Sequence, residues 1–224
     1  MELHNYGRGV LHVVCPDAEE LAYSFLRIQE SKSNPLWRNK KSFTEKEYLD
    51  QYSKLMEIDG RWEYHREYVG VSVKSEALIP FYGGRFDPIS KREGRLLRLL
   101  EKPTNRGRKR AFIIGSTNGD TDTMNHELSR AFSYVDVDYR QSALKIVRKI
   151  PVELRKIMRE WFINDGSFLP SVIPHEIVAE FADWYDSYMF REQHIDRRNR
   201  TLQRVHREIK DLFETKLKTL DLSK

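Results

Sequence analysis

Apolar side chains at helical spacing run through most of this chain, and this periodicity limits the folds that the sequence can adopt. Runs of β-branched residues are few and short, as in Gly9–Cys15 and Ala111–Gly115. The pattern predicts short strands near Val10, Trp62, Val71 and Ile113. It predicts helices over 17–30, 44–56, 90–101, 122–135, 139–149, 152–164 and 175–190. We therefore expect an α+β fold that is mainly helical, with a small sheet and a long charged C-terminal helix.

The composition changes beyond Phe190, where a charged helix begins. From Ile195 its apolar residues step by three and four, at Leu202, Val205, Ile209 and Leu212. Such a narrow stripe is typical of a coiled-coil seam or of an arm laid across a domain. The sequence thus predicts a domain over residues 1–190 and a helical arm over residues 191–224. If the stripe is a coiled-coil seam, we expect the protein to form a homodimer through its last helix.

Three features that the sequence lacks indicate the cellular compartment of the protein. Cys15 is the one cysteine, so no disulfide can form within the chain. No apolar run approaches the roughly 20 residues that a membrane span requires. The first residues are polar and lack the apolar core of a secretory signal. We expect a cytoplasmic protein that does not cross a membrane.

The charge of the chain is mixed, with 39 basic and 34 acidic residues and a net charge of +5. The basic residues cluster twice, in the turn at Lys102–Arg110 and along the last helix. A site for nucleic-acid phosphates would use such clusters, and this alternative hypothesis makes nucleic acid a candidate partner. The other interpretation is a solvated helix face balanced by nearby acids. The candidate nucleic-acid-binding residues are Arg106, Arg108, Lys109, Arg110, Arg197, Arg198, Arg200 and Arg204.

A third feature is His126-Glu127 on the predicted helix 122–135, directly after a strand and a polar loop. In a zinc helix of the form His-Glu-x-x-His, two imidazoles four residues apart lie on one face and reach one ion, while the glutamate activates the metal-bound water. The residue four positions after His126 is Arg130. The spacing alone fits either a site helix with one ligand replaced or the solvated face of a surface helix.

The wider pattern resembles zincin-type metallopeptidases found among little-characterised microbial and phage proteins. These proteins carry a strand, then His-Glu-[Ile/Leu]-x-His-Ala with aromatic residues after it, and an acidic residue on a later helix. The resemblance touches the chain in patches between about Val10 and Tyr185 and leaves the last helix uncovered. The matching segments are His12–Cys15, Phe25–Glu30, Phe112–Ser116, His126–Tyr134, Val137–Tyr139 and Pro174–Ala179.

The resemblance implies a zincin-like central helix, a zinc ion held by His126 and Glu176, and Glu127 as the catalytic base. Arg130 departs from the pattern, because a guanidinium cannot coordinate a metal and repels a divalent ion. Zinc would then need another ligand, with His175 as the candidate. Alternatively, Arg130 forms an ion pair with Glu127 or Glu176 in the emptied pocket. The expected function is that of a metallopeptidase-related protein with a degenerate site, which binds a protein partner and retains peptidase activity only if a metal remains.

Overall fold

The computed structural model describes residues 1–34, 36–38, 40–55, 65, 70–117, 124–164, 170–182, 196 and 198–220. It confirms an α+β fold that is mainly helical, with a small mixed sheet of four strands. The chain divides into two compact units, a first unit over residues 1–120 and a second unit over residues 121–223. This division differs from the predicted one at residue 190, because the last helix packs on other helices of the second unit.

The sheet of the first unit has the strand order β1-β2-β4-β3. Strand β2 pairs in parallel with β4, whereas β1 and β3 pair antiparallel with their neighbours. The strands predicted near Val10, Val71 and Ile113 are confirmed, and the one predicted near Trp62 lies outside the described residues. The strand bounds are Glu2–Asn5 for β1, Val10–Cys15 for β2, Gly70–Lys74 for β3 and Phe112–Thr117 for β4.

Helix α1 packs on the sheet, and α2 and α4 pack on α1. Leu11 and Val13 of β2 share an apolar core with Phe25 and Leu26 of α1 and with Leu96 of α4. The helices are α1 over Ala18–Ser33, α2 over Glu45–Leu55, α3 over Ile79–Tyr82 after a 3₁₀ turn at Ser75–Leu78, and α4 over Lys91–Thr104.

Helix α4 extends past its predicted end at Glu101 and includes Pro103. A proline lacks the backbone N–H that would bond to the carbonyl four residues earlier, and the helix ends one residue after it, at Thr104. Asn105 follows in the left-handed conformation, at φ 47°, and caps the helix with its backbone N–H. The basic turn that was predicted after α4 therefore begins with a left-handed helix cap.

A buried ion pair joins α1 to α4. Arg27 donates to both carboxylate oxygens of Glu93, at 2.7 and 2.5 Å, and its side chain also donates to the carbonyls of Phe43, Phe86 and Pro88. The guanidinium group thus donates five hydrogen bonds, and the Glu93 carboxylate compensates its buried charge. Arg27 thereby fixes the loops before α2 and α4 against α1.

The described residues of the second unit form helices and no strands. Helix α7 begins and ends where the sequence predicted it, whereas α6 begins two residues early because Asp136 caps it by accepting from the Tyr139 N–H at 2.8 Å. None of the described helices is long and apolar enough to cross a membrane. The helices are α5 over Met124–Val135, α6 over Val137–Val147, α7 over Val152–Asn164, α8 over Ile173–Ala182 and α9 over Arg200–Leu217.

Helix α9 turns its apolar stripe into the second unit. Leu202, Val205 and Ile209 are fully buried, and Phe213 of the same stripe contacts the Phe132 ring of α5 at 5.7 Å between centroids. Leu212, which the sequence placed in the stripe, is only half-buried. Because α9 buries the stripe against α6 and α8 of the same chain, these side chains belong to its own core, and a homodimer through the last helix stays a prediction.

Candidate functional site

The candidate site lies between α5 and α8, which pack against each other within the second unit. Helix α5 buries Leu128, Ala131 and Phe132 in the core, as its apolar spacing predicted. His126 and Arg130 lie on the other side of the helix. They are half-buried rather than exposed, with side-chain exposures of 21% and 28%, so the interpretation as a solvated face is wrong.

Helix α8 brings Glu176 to the same place. Its neighbours Ile177, Val178 and Ala179 are buried, and the Glu176 side chain itself is only 4% exposed. A carboxylate in such surroundings requires compensating charge, since an unpaired buried charge is strongly unfavourable. Helix α5 supplies that charge from the opposite side of the interface.

Four side chains form the compensated cluster, which we call the charge quartet: His126, Glu127, Arg130 and Glu176. Arg130 Nη1 lies 3.1 Å from Glu127 Oε1, and Arg130 Nε lies 3.3 Å from Glu176 Oε1. His126 Nε2 lies 3.5 Å from Glu176 Oε2. The predicted ion pair of Arg130 is therefore confirmed with both glutamates.

The protonation states of the quartet depend on one another. Burial lowers the pKa of His126, but the Glu176 contact and the charge of Glu127 outweigh burial, so this pKa lies above its usual value. Burial raises the pKa of Glu176, but the charges of Arg130 and His126 outweigh it, so this pKa lies below its usual value. The environment thus favours a carboxylate on Glu176 and an imidazolium on His126.

A zinc ion does not fit this arrangement. His126 and Glu176 provide two donors, whereas catalytic zinc sites use three protein ligands. His175 is next to Glu176 on α8, yet the residues that the structure describes contain no group of three or more His, Cys, Asp or Glu side chains able to hold a metal. Arg130 occupies the position of the second imidazole and directs its charge at both carboxylates.

The candidate nucleic-acid-binding residues fall into two units. Arg106, Arg108, Lys109 and Arg110 belong to the basic turn of the first unit, where Arg106 pairs with Glu101 at 2.7 Å. Those on the last helix and its approach belong to the second unit, apart from Arg197, which lies outside the described residues. That second set is Arg198, Arg200 and Arg204, all exposed.

A hydrogen-bonded histidine in the sheet was not found by sequence reasoning. The Tyr6 hydroxyl lies 2.8 Å from His12 Nδ1, and His12 Nε2 lies 2.8 Å from the Ser116 hydroxyl. Burial, followed by the charge of His4, lowers the pKa of His12 to about 4, so the ring is neutral at pH 7. The only available signal was that His12 lies within one predicted strand and that Ser116 directly follows another. The contact itself depends on the register in which β2 and β4 pair.

Comparisons with known proteins give no family for this chain, since no family model, curated protein or solved structure matches it. The resemblance to zincin-type metallopeptidases therefore stays a prediction from the motif and its spacing.

Proposed function

We propose that this chain is a metallopeptidase-related protein in which an ion-pair network has replaced the metal, and which binds a polypeptide without cleaving it. The observation that supports the proposal is the position of Arg130. Its guanidinium contacts the glutamate that would act as the base and the glutamate that would ligate zinc.

Three physical consequences follow from that position. Arg130 cannot donate an electron pair to a metal, and its fixed positive charge disfavours a divalent ion nearby. Glu127 and Glu176 are both ion-pair partners of Arg130, which lowers the tendency of either carboxylate to bind zinc or to take a proton from water. The quartet instead joins α5 to α8 and stabilises the scaffold of the predicted site.

A polypeptide is the proposed ligand because the resemblance is to peptidases. Loss of the metal removes the activated water and with it the hydrolytic step. It does not remove those surfaces of a peptidase that hold an extended chain. The activity retained by such a protein is therefore recognition of a protein segment.

Zinc content tests the first half of the proposal. We expect purified wild-type protein to contain no stoichiometric zinc by mass spectrometry of metals. The Arg130→His variant restores the imidazole four residues after His126, and we expect it to bind about one zinc ion per chain. Arg130→Gln is the matched control, because it removes the charge without supplying a ligand, and it should stay free of zinc.

Two results would contradict the zinc prediction. One is stoichiometric zinc in the wild-type protein that is lost on His126→Ala. The other is an Arg130→His variant that has the wild-type circular dichroism spectrum but binds no zinc, since the helix pair would then lack the geometry of a zinc site.

Fluorescein-labelled reduced casein tests the second half. We expect a rise in fluorescence anisotropy on binding and no release of labelled fragments. Release of fragments by the wild-type protein, or no change in anisotropy at any protein concentration, would contradict a protein that binds polypeptides without cleaving them.

A further inference from the structure

The exposed side of α9 carries a row of arginines whose placement conflicts with helix stability. Arg200, Arg204 and Arg207 are all exposed and recur at intervals of four and three residues, so they lie on one face of the helix. We call these three residues the arginine face. Like charges at this spacing repel each other, and Arg200, in the first turn, opposes the helix dipole.

No acidic residue relieves this repulsion in the first turn of α9. Within residues 200–210 there are four basic residues and one acidic residue, Glu208. Glu208 is held by Lys149 at 2.5 Å, and its contact with Arg204 is long, at 4.0 Å. Among the described residues, Arg200 and Arg207 have no ion-pair partner.

Helix α6 extends the positive surface. Lys149 follows its C-terminus and contacts Glu208, whereas Asp136 caps its N-terminus and lies 2.5 Å from Lys216 near the end of α9. The two helices therefore run antiparallel, and the C-terminal end of α6 lies beside the arginine half of α9. Lys145 and Arg148 are also exposed at that end.

We propose that the arginine face binds the phosphate backbone of double-stranded nucleic acid. Exposed residues that destabilise their own helix, here by like-charge repulsion and by opposing the dipole, are typical of a functional surface. Guanidinium groups are suited to phosphates, which accept two parallel hydrogen bonds. The exposed side of α9 has no Phe, Tyr or Trp ring for stacking on bases, because Phe213 is buried, and this favours a duplex over a single strand.

The length of the arginine face gives the expected salt dependence. At about 1.5 Å of rise per residue, the three arginines span roughly 10 Å. One strand of a duplex has a phosphate about every 3.4 Å along its axis, so about three phosphates face them. Neutralising about three phosphates predicts an association constant that falls roughly 40-fold between 50 and 200 mM salt.

Fluorescence anisotropy of a labelled 25-base-pair DNA duplex tests the proposal on the full chain. We expect binding at 50 mM salt with the salt dependence given above. The triple variant Arg200→Gln, Arg204→Gln and Arg207→Gln should lose this binding. Because glutamine has nearly the helix propensity of arginine and the substitutions remove like-charge repulsion from exposed positions, the variant should unfold at the wild-type temperature or above it.

The matched control is in the basic turn of the first unit, where Arg106→Gln, Arg108→Gln and Lys109→Gln remove three exposed charges. We expect this variant to bind as the wild-type protein does. The proposal is overturned if the wild-type protein does not bind the duplex at 50 mM salt, or if the arginine-face variant binds as well as the control. Binding to anionic lipid vesicles without binding to DNA would overturn it in favour of a membrane surface. None of these outcomes depends on zinc or casein.

Discussion

The ion pair between Arg130 and Glu176 gives the sharpest prediction about stability. We consider the variants Arg130→Met and Glu176→Gln, which remove one charge each and keep much of the side-chain volume, together with the double variant. Arg130→Met leaves the Glu176 carboxylate with His126 as its remaining partner, Glu176→Gln leaves Arg130 with Glu127, and the double variant removes both charges of the pair.

The magnitude follows from distance and exposure. Two unit charges about 4 Å apart interact with about 4 kcal/mol at an effective dielectric constant near 20. Glu176 is 4% exposed but Arg130 is 28% exposed, so solvent screens part of this interaction. We therefore expect a coupling energy of about 2 kcal/mol, with each single variant destabilised by about 2–3 kcal/mol.

Urea unfolding at pH 7 measures the coupling energy as the deviation from additivity in the double-mutant cycle. The control is the exposed pair Lys156 and Glu160 on α7, 3.9 Å apart with side-chain exposures of 71% and 57%, for which we expect a coupling of about 0.5 kcal/mol or less. A coupling between Arg130 and Glu176 no larger than that of the control would refute the role given to the quartet.

The charge quartet should stabilise the folded state most within a limited pH range. The pKa of Glu176 is depressed in the folded chain, so its contribution to the free energy of unfolding is present above its ordinary pKa of 4.5 and is lost as pH falls. The pKa of His126 is raised, so its contribution is present below its ordinary pKa of 6.5 and is lost as pH rises. The stabilisation by the quartet should therefore be greatest between these two values, and the Glu176→Gln variant should show a flatter pH profile.

Two further predictions concern the first unit. Gly115→Ala should destabilise the protein by about 1–3 kcal/mol in the same urea assay, because the added carbon would lie 2.7–2.9 Å from three core side chains. The control is Gly94→Ala on α4, where the nearest atom is 3.5 Å away, and it should be neutral or stabilising. Equal effects at the two glycines would refute the packing argument. The folded state disfavours protonation of His12, so stability should fall as pH drops from 6.5 to about 4, by at most about 3 kcal/mol. The His12→Asn variant should lose this part of the pH dependence, and an unchanged profile would show that His12 does not cause it.

Local periodicity made much of the second unit predictable. Helix α7 has the predicted bounds because Pro151 precedes its first turn and its apolar spacing is regular up to Asn164. The register of α5 likewise fixed His126 and Arg130 on one side of a helix whose other side is core. These properties depend on residues within two or three turns of one another.

Elements that depend on distant partners were missed or misjudged. Strand β1 has little apolar signal of its own and forms by pairing with β2. The stripe on α9 was compatible with a dimer seam or an intramolecular contact, and only the packing on α6 and α8 distinguishes them. The link between His12 and Ser116 joins residues 104 positions apart, which no local pattern reveals.

The sequence by itself determined the helical spacing of His126, Glu127 and Arg130 and the replacement of a metal ligand by a permanent cation. The tertiary structure alone decided what that cation contacts. Glu176 reaches Arg130 only because α5 and α8 pack together, and a carboxylate that is 4% exposed requires the compensating charge that the arginine provides.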